Sequence, residues 1–561
     1  MMMVTVVGKV VAEGRVDQRC EKEERNPNTN NRNVTQTKNN FFYFGSGFEG
    51  ILLEGLACAF YPVVTSPLRQ NSTTTLLLAM SYQVVERAGD EAFQLVPTEP
   101  KTYGSVVGES STDDDDQLEF PLISRDTNTT SIPSAIFNLT NTIIGAGVLS
   151  LPFAFKNTGV IIGPVLLVSV YFLVVYSCVL LVSASKACGG RSFSEIASCA
   201  LGRPGIIATQ ISLVIATFGA ATSYLVIVGD MMSPLIGQWM GGTNEDFCSI
   251  YADRRFSISL SLLVVCPLCM FKHIDSLRYV SYLAIAMVSY LLVIVVVRSG
   301  ESLNKGSGQD VNFINVTETI FRAMPIITLA YTCQMNLFAL LSTLESPTRR
   351  NVRRVIYGAL SVCMVMYILI GLFGYLTFFQ EIKGNVLLNY EVDDTAVMVG
   401  RVGVALIVLC SFPLMMNPCL VTLEEMLFHA GDATPPEQRP FRIGRRAVIM
   451  TATVGLAYTI AMLVADVSVV LGISGAIGSI AISFILPPLF VLKLKPNMPT
   501  RQKILPATLA VVGVAVLVVS LVVTILDAID AGDDLNLAHA CNRSALHHHN
   551  ATNATTTLLL E

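Results

Sequence analysis

IFNLTNTIIGAGVLSLPFAF, residues 136–155, is the stretch whose reading decides how the rest of the chain is understood. It is uncharged and apolar, as a helix of about 20 residues crossing a bilayer core of roughly 30 Å must be. Yet Gly145-Ala146-Gly147 interrupts its middle, with Asn138, Thr140, Asn141 and Thr142 just before and Pro152 just after. A second apolar stretch, MPIITLAYTCQMNLFALL (324–341), carries Pro325 early and the polar string Tyr331-Thr332-Cys333-Gln334-Met335-Asn336 at its centre. A plain spanning helix needs neither feature.

The composition around these stretches is that of a polytopic membrane protein. Of 561 residues, 52% are hydrophobic and 14% charged, against a usual charged share of about 25%. The mean hydropathy of +0.57 is more than one soluble core could bury. Uncharged runs at 132–155, 160–182, 205–229, 256–271, 279–297, 323–344, 355–379, 402–423, 447–465, 467–492 and 504–526 give eleven candidate spans. The fourth is short, but Arg254, Arg255 and Lys272 at its ends can snorkel outward. In lipid each run must satisfy its backbone within itself, so each is expected to be an α-helix. Residues 1–131, with NPNTNNRN and the acidic run Asp113–Asp116, have the composition of a disordered tail, and no signal peptide is visible. Residues 132–527 are then the transmembrane domain and 528–561 a short tail. A net charge of −5 gives no polyanion-binding signal, so no nucleic-acid partner is expected. The cysteines lie mostly in apolar runs, and Cys266 and Cys269 have no second pair or histidines for zinc, so no metal site is expected. No nucleophile–base pair or cofactor motif suggests an enzyme, and no cofactor is expected.

Lysine and arginine in the short loops orient the chain. With the N-terminus in the cytosol, seventeen such residues fall in cytosolic loops and seven on the other side. The sequon at Asn315 and those at Asn542, Asn550 and Asn553 then fall on the outer side as glycosylation candidates. Sequons at Asn33, Asn71 and Asn128 fall in the cytosolic tail, where they could not be used.

The two interrupted spans are the first and the sixth, hence the first members of two five-helix halves, with the eleventh span left over. Five is odd, so the second half enters the membrane from the opposite side. This is the inverted-repeat arrangement in which broken helices meet at the midplane and form a substrate site. Unwinding at Ile144, Gly145, Ala146 and Gly147 would expose backbone N–H groups at the start of a half-helix, suited to a carboxylate. Carbonyls ending the first half of the sixth span, near Ala330 and Tyr331, suit an ammonium group or a cation. A substrate with both charges is an α-amino acid, and Tyr331, Thr332, Cys333 and Asn336 complete the candidate binding set. A Gly-x-Gly in an apolar helix also serves close helix–helix packing, and Asn and Thr also serve as interhelical hydrogen-bond glue. The polar string at the matching place in the other half weighs towards the unwound reading.

NLTNTIIGAGVLSLPFAFKNTG (138–159) resembles the first-helix signature of the amino acid/auxin permease family, in the branch of sodium-coupled neutral and vacuolar amino-acid transporters. FKHIDSLR (271–278), the Pro325–Pro347 stretch ending LESPTRR, and GYLTFFQEIKGNVLLNY (374–390) agree with it. The resemblance covers about 131–527. It implies an all-α, leucine-transporter-like fold of eleven spans and secondary active transport of neutral amino acids by alternating access. It also places Asn141 at the position implicated in sodium binding and Ser411 near the hydroxyl that completes that site. Two departures put sodium in doubt: Gln334 stands where the family often has a histidine, and VLCSFPLMMNP (408–418) is poor in hydroxyls. If H⁺ is instead the coupling ion, Asp230 is the proton-coupling candidate, although a carboxylate at a helix end also simply marks the interface. Glu318 and Arg322 are expected to pair at i, i+4, and Arg401 to snorkel. Asp113–Asp116 followed by LEFPLI loosely resembles an acidic dileucine signal and leans the location towards an endosomal, vacuolar or lysosomal membrane rather than the plasma membrane. The long tail keeps open a second role, an amino-acid sensor that signals to a protein partner.

Overall fold

The computed structural model describes residues 130–240, 253–270, 278–304, 311–315, 317–428, 443–464 and 466–558. The expectations for residues 1–129, including the acidic run, and for 271–277 lie outside the described residues. Everything described is helical or loop; one isolated bridge, Thr130 to Leu344, is the sole β pairing among these residues.

In chain order the helices are α1 (Ile132–Ile143), a 3₁₀ turn (Ala146–Ser150), α2 (Leu151–Cys188), α3 (Phe193–Met240), α4 (Arg254–Met270), α5 (Arg278–Asn304), α6 (Ile320–Tyr331), α7 (Gln334–Ser342), α8 (Arg349–Phe378), α9 (Thr395–Phe428), α10 (Ile443–Leu463) and α11 (Val467–Ser474). Two π-helical segments, Gly475–Ser479 and Ala481–Ile485, lead into α12 (Leu486–Leu494), and α13 (Thr500–Leu558) follows. Asn542, Asn550 and Asn553 therefore lie on the helix that runs to Leu558.

Nine helices among the described residues are each long and apolar enough to cross a membrane, against eleven uncharged runs in the sequence. The difference has two visible causes. The first and second candidate spans share α2, which bends back at Gly159, where φ is +87°. The backbone there pairs with the 312–315 segment, through Val160 N–H to Asn312 O (3.1 Å) and Asn315 N–H to Thr158 O (3.1 Å). A β-carbon at Gly159 would sit 2.8 Å from the Asn312 carbonyl oxygen, so glycine answers both the left-handed φ and the close approach. The fourth span, α4, is only 17 residues.

The bundle is apolar outside as well as inside. Leu263, Val448, Val511 and Leu463 are 70–80% exposed, and such large apolar side chains ringing a helical bundle are a surface for lipid rather than water. Inside, α3 packs on α9 and α8 packs on both α1 and α2. Along α8 the packing face can be followed residue by residue: Gly358 meets Ile136, Gly371 meets Phe155, and Gly374 meets Pro152. Between Gly358 and Gly371 on this helix lie Cys363, whose thiol points at the Thr140 carbonyl (3.9 Å), and Tyr367.

Candidate functional site

Both helix breaks exist, and each opens on a residue with the same extended backbone. After α1 the chain turns extended at Ile144 (φ −71°, ψ 97°) and Gly145 (φ −127°, ψ −156°) before re-entering a helix. After α6 it turns extended at Thr332 (φ −66°, ψ 110°) in the same way, but Cys333 (φ −128°, ψ −5°) is already turned back towards the helix before α7. No φ at either break is positive, so no residue there needs glycine for conformational reasons. Glycine is needed for space. A β-carbon on Gly147 would lie 2.8 Å from Ala330 Cβ and 3.0 Å from Ala330 Cα, so the two breaks touch at that residue. One on Gly145 would lie 3.2 Å from the Tyr224 hydroxyl of α3. Close packing and unwinding, posed as alternatives for this Gly-x-Gly, are both present.

The polar string at the second break is largely occupied with its own backbone. The Thr332 hydroxyl donates to Thr328 O (2.7 Å), and the Gln334 Oε1 accepts from Cys333 N–H (3.1 Å). The Cys333 and Cys178 sulfurs are 3.8 Å apart, both fully buried. Tyr331 is also fully buried, and its hydroxyl has no partner among the described residues. Asn336 is half-buried. Of the candidate set, Ile144, Gly145, Gly147, Tyr331, Thr332 and Cys333 thus line the two breaks, while Ala146 lies in the first break by its backbone.

One residue that sequence reasoning missed joins the breaks. The Tyr367 hydroxyl is 3.0 Å from the Ile143 carbonyl and 2.9 Å from the Ala330 carbonyl. These are the carbonyls at the broken ends of α1 and α6. The Tyr367 ring also lies against that of Tyr331, with centroids 5.2 Å apart. A tyrosine in an apolar helix reads as core, and nothing in its local sequence announces that its partners are main-chain carbonyls.

The ion candidates sit differently. Asn141 is on α1, which packs on α8, α7 and α5, whereas Ser411 is half-buried on α9, which packs chiefly on α3. α1 and α9 are not major neighbours. Asp230 does not face water. It is 6% exposed and paired with Arg254 of α4 (3.1 Å), with the Asn385 amide 3.5 Å away. Arg254 donates as well to Val464 O at the end of α10 (3.1 Å). Asn385 belongs to the 379–390 loop after α8, and Lys156 of α2 donates to Ile382 O of the same loop (3.3 Å). Arg401, expected to snorkel, is 1% exposed and donates to Leu387 O (2.9 Å) and Tyr390 O (2.8 Å). The loop folds over the end of α9, so an arginine near a helix end finds carbonyls instead of water. The Glu318–Arg322 expectation also fails, because Arg322 pairs with Asp527 of α13.

At the opposite end of the bundle, Lys495 donates to the Ser183 hydroxyl (2.9 Å). Burial, helped by the Arg349 charge, pulls its ammonium down to about 8. Lys186 in the last turn of α2, Arg349 at the start of α8 and Lys495 after α12 are thus gathered at one end of the bundle.

A helical bundle in which two broken helices meet is the arrangement expected of a transporter, and the sequence comparisons agree. The family described as transmembrane amino acid transporter protein matches residues 128–529. The chain belongs to that family. Among its relatives, vacuolar amino acid transporter 6 of Saccharomyces cerevisiae is 30% identical over 438 residues, covering 67% of this chain and 94% of that protein. Sodium-coupled neutral amino acid transporter 7 of Xenopus laevis is 28% identical, covering 67% of this chain and 83% of the other. Solute carrier family 38 member 10 of Mus musculus is 29% identical over 70% of this chain, which spans only 35% of that longer protein. This family member is an integral membrane transporter and not an enzyme. Neither Tyr367 nor the burial of Asp230 was legible in the motifs that carry the resemblance.

Proposed function

We propose that this transporter moves neutral L-amino acids across a membrane by alternating access, with Na⁺ or H⁺ as the coupling ion. The observation that carries the reading is the meeting of the two breaks at Gly147 and Ala330, with a set of oppositely polarised backbone groups around it. The amides opening the helix at Ala146 and Gly147, beside the Tyr224 hydroxyl, suit the substrate carboxylate. The carbonyls of Ile143 and Ala330 suit its ammonium group. Two charges of opposite sign held a few ångströms apart are the mark of an α-amino acid. The fully buried Tyr331 and Cys333 offer an uncharged wall to the side chain, which favours neutral substrates.

For coupling, Asn141 and Ser411 offer oxygen ligands to Na⁺, and the name of the Xenopus relative favours that ion. Asp230 offers a proton site. Protonating it would release Arg254 and loosen the contacts that join α3, α4 and the end of α10 at this end of the bundle. The yeast relative's name favours a vacuolar or lysosomal membrane, with the N-terminus in the cytosol by the basic loops.

The test is uptake of a panel of labelled neutral amino acids into proteoliposomes, first with a Na⁺ gradient alone and then with a pH gradient alone. Concentrative uptake under one gradient is expected. If it is Na⁺, Asn141→Ala weakens the apparent Na⁺ affinity; if it is H⁺, Asp230→Asn removes the pH dependence. Uptake driven by neither gradient would contradict coupled transport.

A further inference from the structure

The three oxygens at the junction of the breaks are short of protons. The Tyr367 hydroxyl stands 3.0 Å from Ile143 O and 2.9 Å from Ala330 O, and all of this is buried, Tyr367 fully. A phenol carries one proton and can give it fully to only one carbonyl at a time. The other carbonyl then faces a phenolic lone pair at hydrogen-bond distance, inside a low-dielectric interior where such an imbalance is costly. The arrangement persists because packing holds it: the Tyr367 ring rests on Tyr331, and α8 carries glycines at 371 and 374 that let it lie flush against Phe155 and Pro152. No contact of this kind links α1 and α6 to a single donor elsewhere among the described hydrogen bonds.

We propose that Tyr367 is the positioning residue that turns two helix breaks into one site. Its hydroxyl holds the Ile143 and Ala330 carbonyls on a common point, and the proton deficit there makes that point receptive to the compact cationic group of a substrate. Each carbonyl keeps a second lone pair for that group, so Tyr367 stays in place when substrate binds and sets the spacing of the two acceptors. The role of Tyr367 in joining the breaks stands on geometry alone; its effect on substrate affinity rests on the transport reading above.

The experiment uses the full-length transporter with Tyr367→Phe, which keeps the ring and its contact with Tyr331 and deletes only the hydroxyl. Amide hydrogen exchange without substrate is expected to quicken at both 144–148 and 332–336. Uptake is expected to show KM raised about tenfold, the weight of one hydrogen bond to each state of the site, with kcat changed less than about twofold. A merely structural tyrosine would lower the amount of folded protein and kcat and leave KM alone. Placing p-aminophenylalanine at 367, which offers two protons at the same reach, is expected to restore slow exchange at both breaks, and it keeps the test open should the phenylalanine variant fold poorly. Exchange altered at one break only, or at neither, overturns the proposal. So does an unchanged KM in a variant whose wild type transports. If the wild type takes up no neutral amino acid, the transport reading fails, while the exchange data still decide the role of Tyr367.

Discussion

The two helix breaks open on residues of the same extended backbone, Ile144 and Thr332, and are held by different means. The first is built on small residues: Gly145 clears the Tyr224 hydroxyl and Gly147 clears Ala330. The second contains no glycine and stabilises its turn with side chains, Thr332 back onto Thr328 and Gln334 onto the Cys333 amide. The first break is therefore a matter of volume and the second a matter of hydrogen bonds. Volume in a packed interior is unforgiving, whereas a single side-chain cap contributes about 1 kcal/mol. The first break should tolerate almost no change and the second a good deal.

The largest expected effect follows directly. Gly147→Val would drive a branched side chain into Ala330 and should abolish uptake. Because the obstruction is the Ala330 methyl and its Cα, Gly147→Ala should be strongly impaired, and the pair Gly147→Ala/Ala330→Gly should recover a large part of the activity. Transport kinetics on the single and double variants check this. No recovery would mean that position 147 matters for the ligand's approach and not for contact between the breaks.

Next in size is the clamp on α3, the helix that presents Tyr224 to the first break. Arg254→Gln leaves the Asp230 carboxylate buried without its cation, which costs about 3–5 kcal/mol. The melting temperature of purified protein should fall well below that of the wild type, and Asp230→Asn added to Arg254→Gln should restore most of the loss. A single variant as stable as the double would show that the pair does not hold α3.

How much of this was legible beforehand depended on whether a residue's partner could be named from its type. The breaks were legible because Gly-Ala-Gly and a central polar string are out of place in a spanning helix. Their expected place as first members of two matching halves rests on counting eleven uncharged runs in the sequence. Tyr367 was not legible, since its partners are two main-chain carbonyls from other helices. Arg401 was misread because distance from a helix end says nothing of a loop folded over that end, as residues 379–390 are. Arg322 has an acid one turn away at Glu318, yet pairs with Asp527, more than 200 residues along the chain. The two glycines divide the two meanings attached to them. Gly147 supplies clearance against Ala330, and Gly145 shares the extended turn with Ile144.

A smaller effect sharpens the contrast at the second break. Gln334→Ala removes the acceptor for the Cys333 amide and should weaken apparent substrate affinity by roughly fivefold, near 1 kcal/mol, leaving expression unchanged. A loss as complete as that of Gly147→Val would erase the distinction between the breaks.

The smallest effect lies far from both and provides a baseline for any pH experiment. The Lys495 ammonium is held near 8, below its ordinary 10.5, by burial and by Arg349. A lysine whose folded value is depressed penalises the folded state while it is charged. The penalty is full below about pH 8 and is relieved as pH rises from there towards the unfolded value. Thermal stability should therefore climb modestly across that window, and Lys495→Met should flatten the climb without altering substrate affinity. A Lys495→Met profile that rises as the wild type does would assign the change to another group.

The central claim, that both breaks form a single amino-acid site, is tested most directly by amide hydrogen exchange on the wild-type transporter with and without a saturating neutral amino acid that it transports. Exchange should slow together at 144–150, where the carboxylate is received, and at 332–337, where the ammonium group is received. Slowing confined to one break, or found only elsewhere in the bundle while uptake proceeds normally, would contradict it.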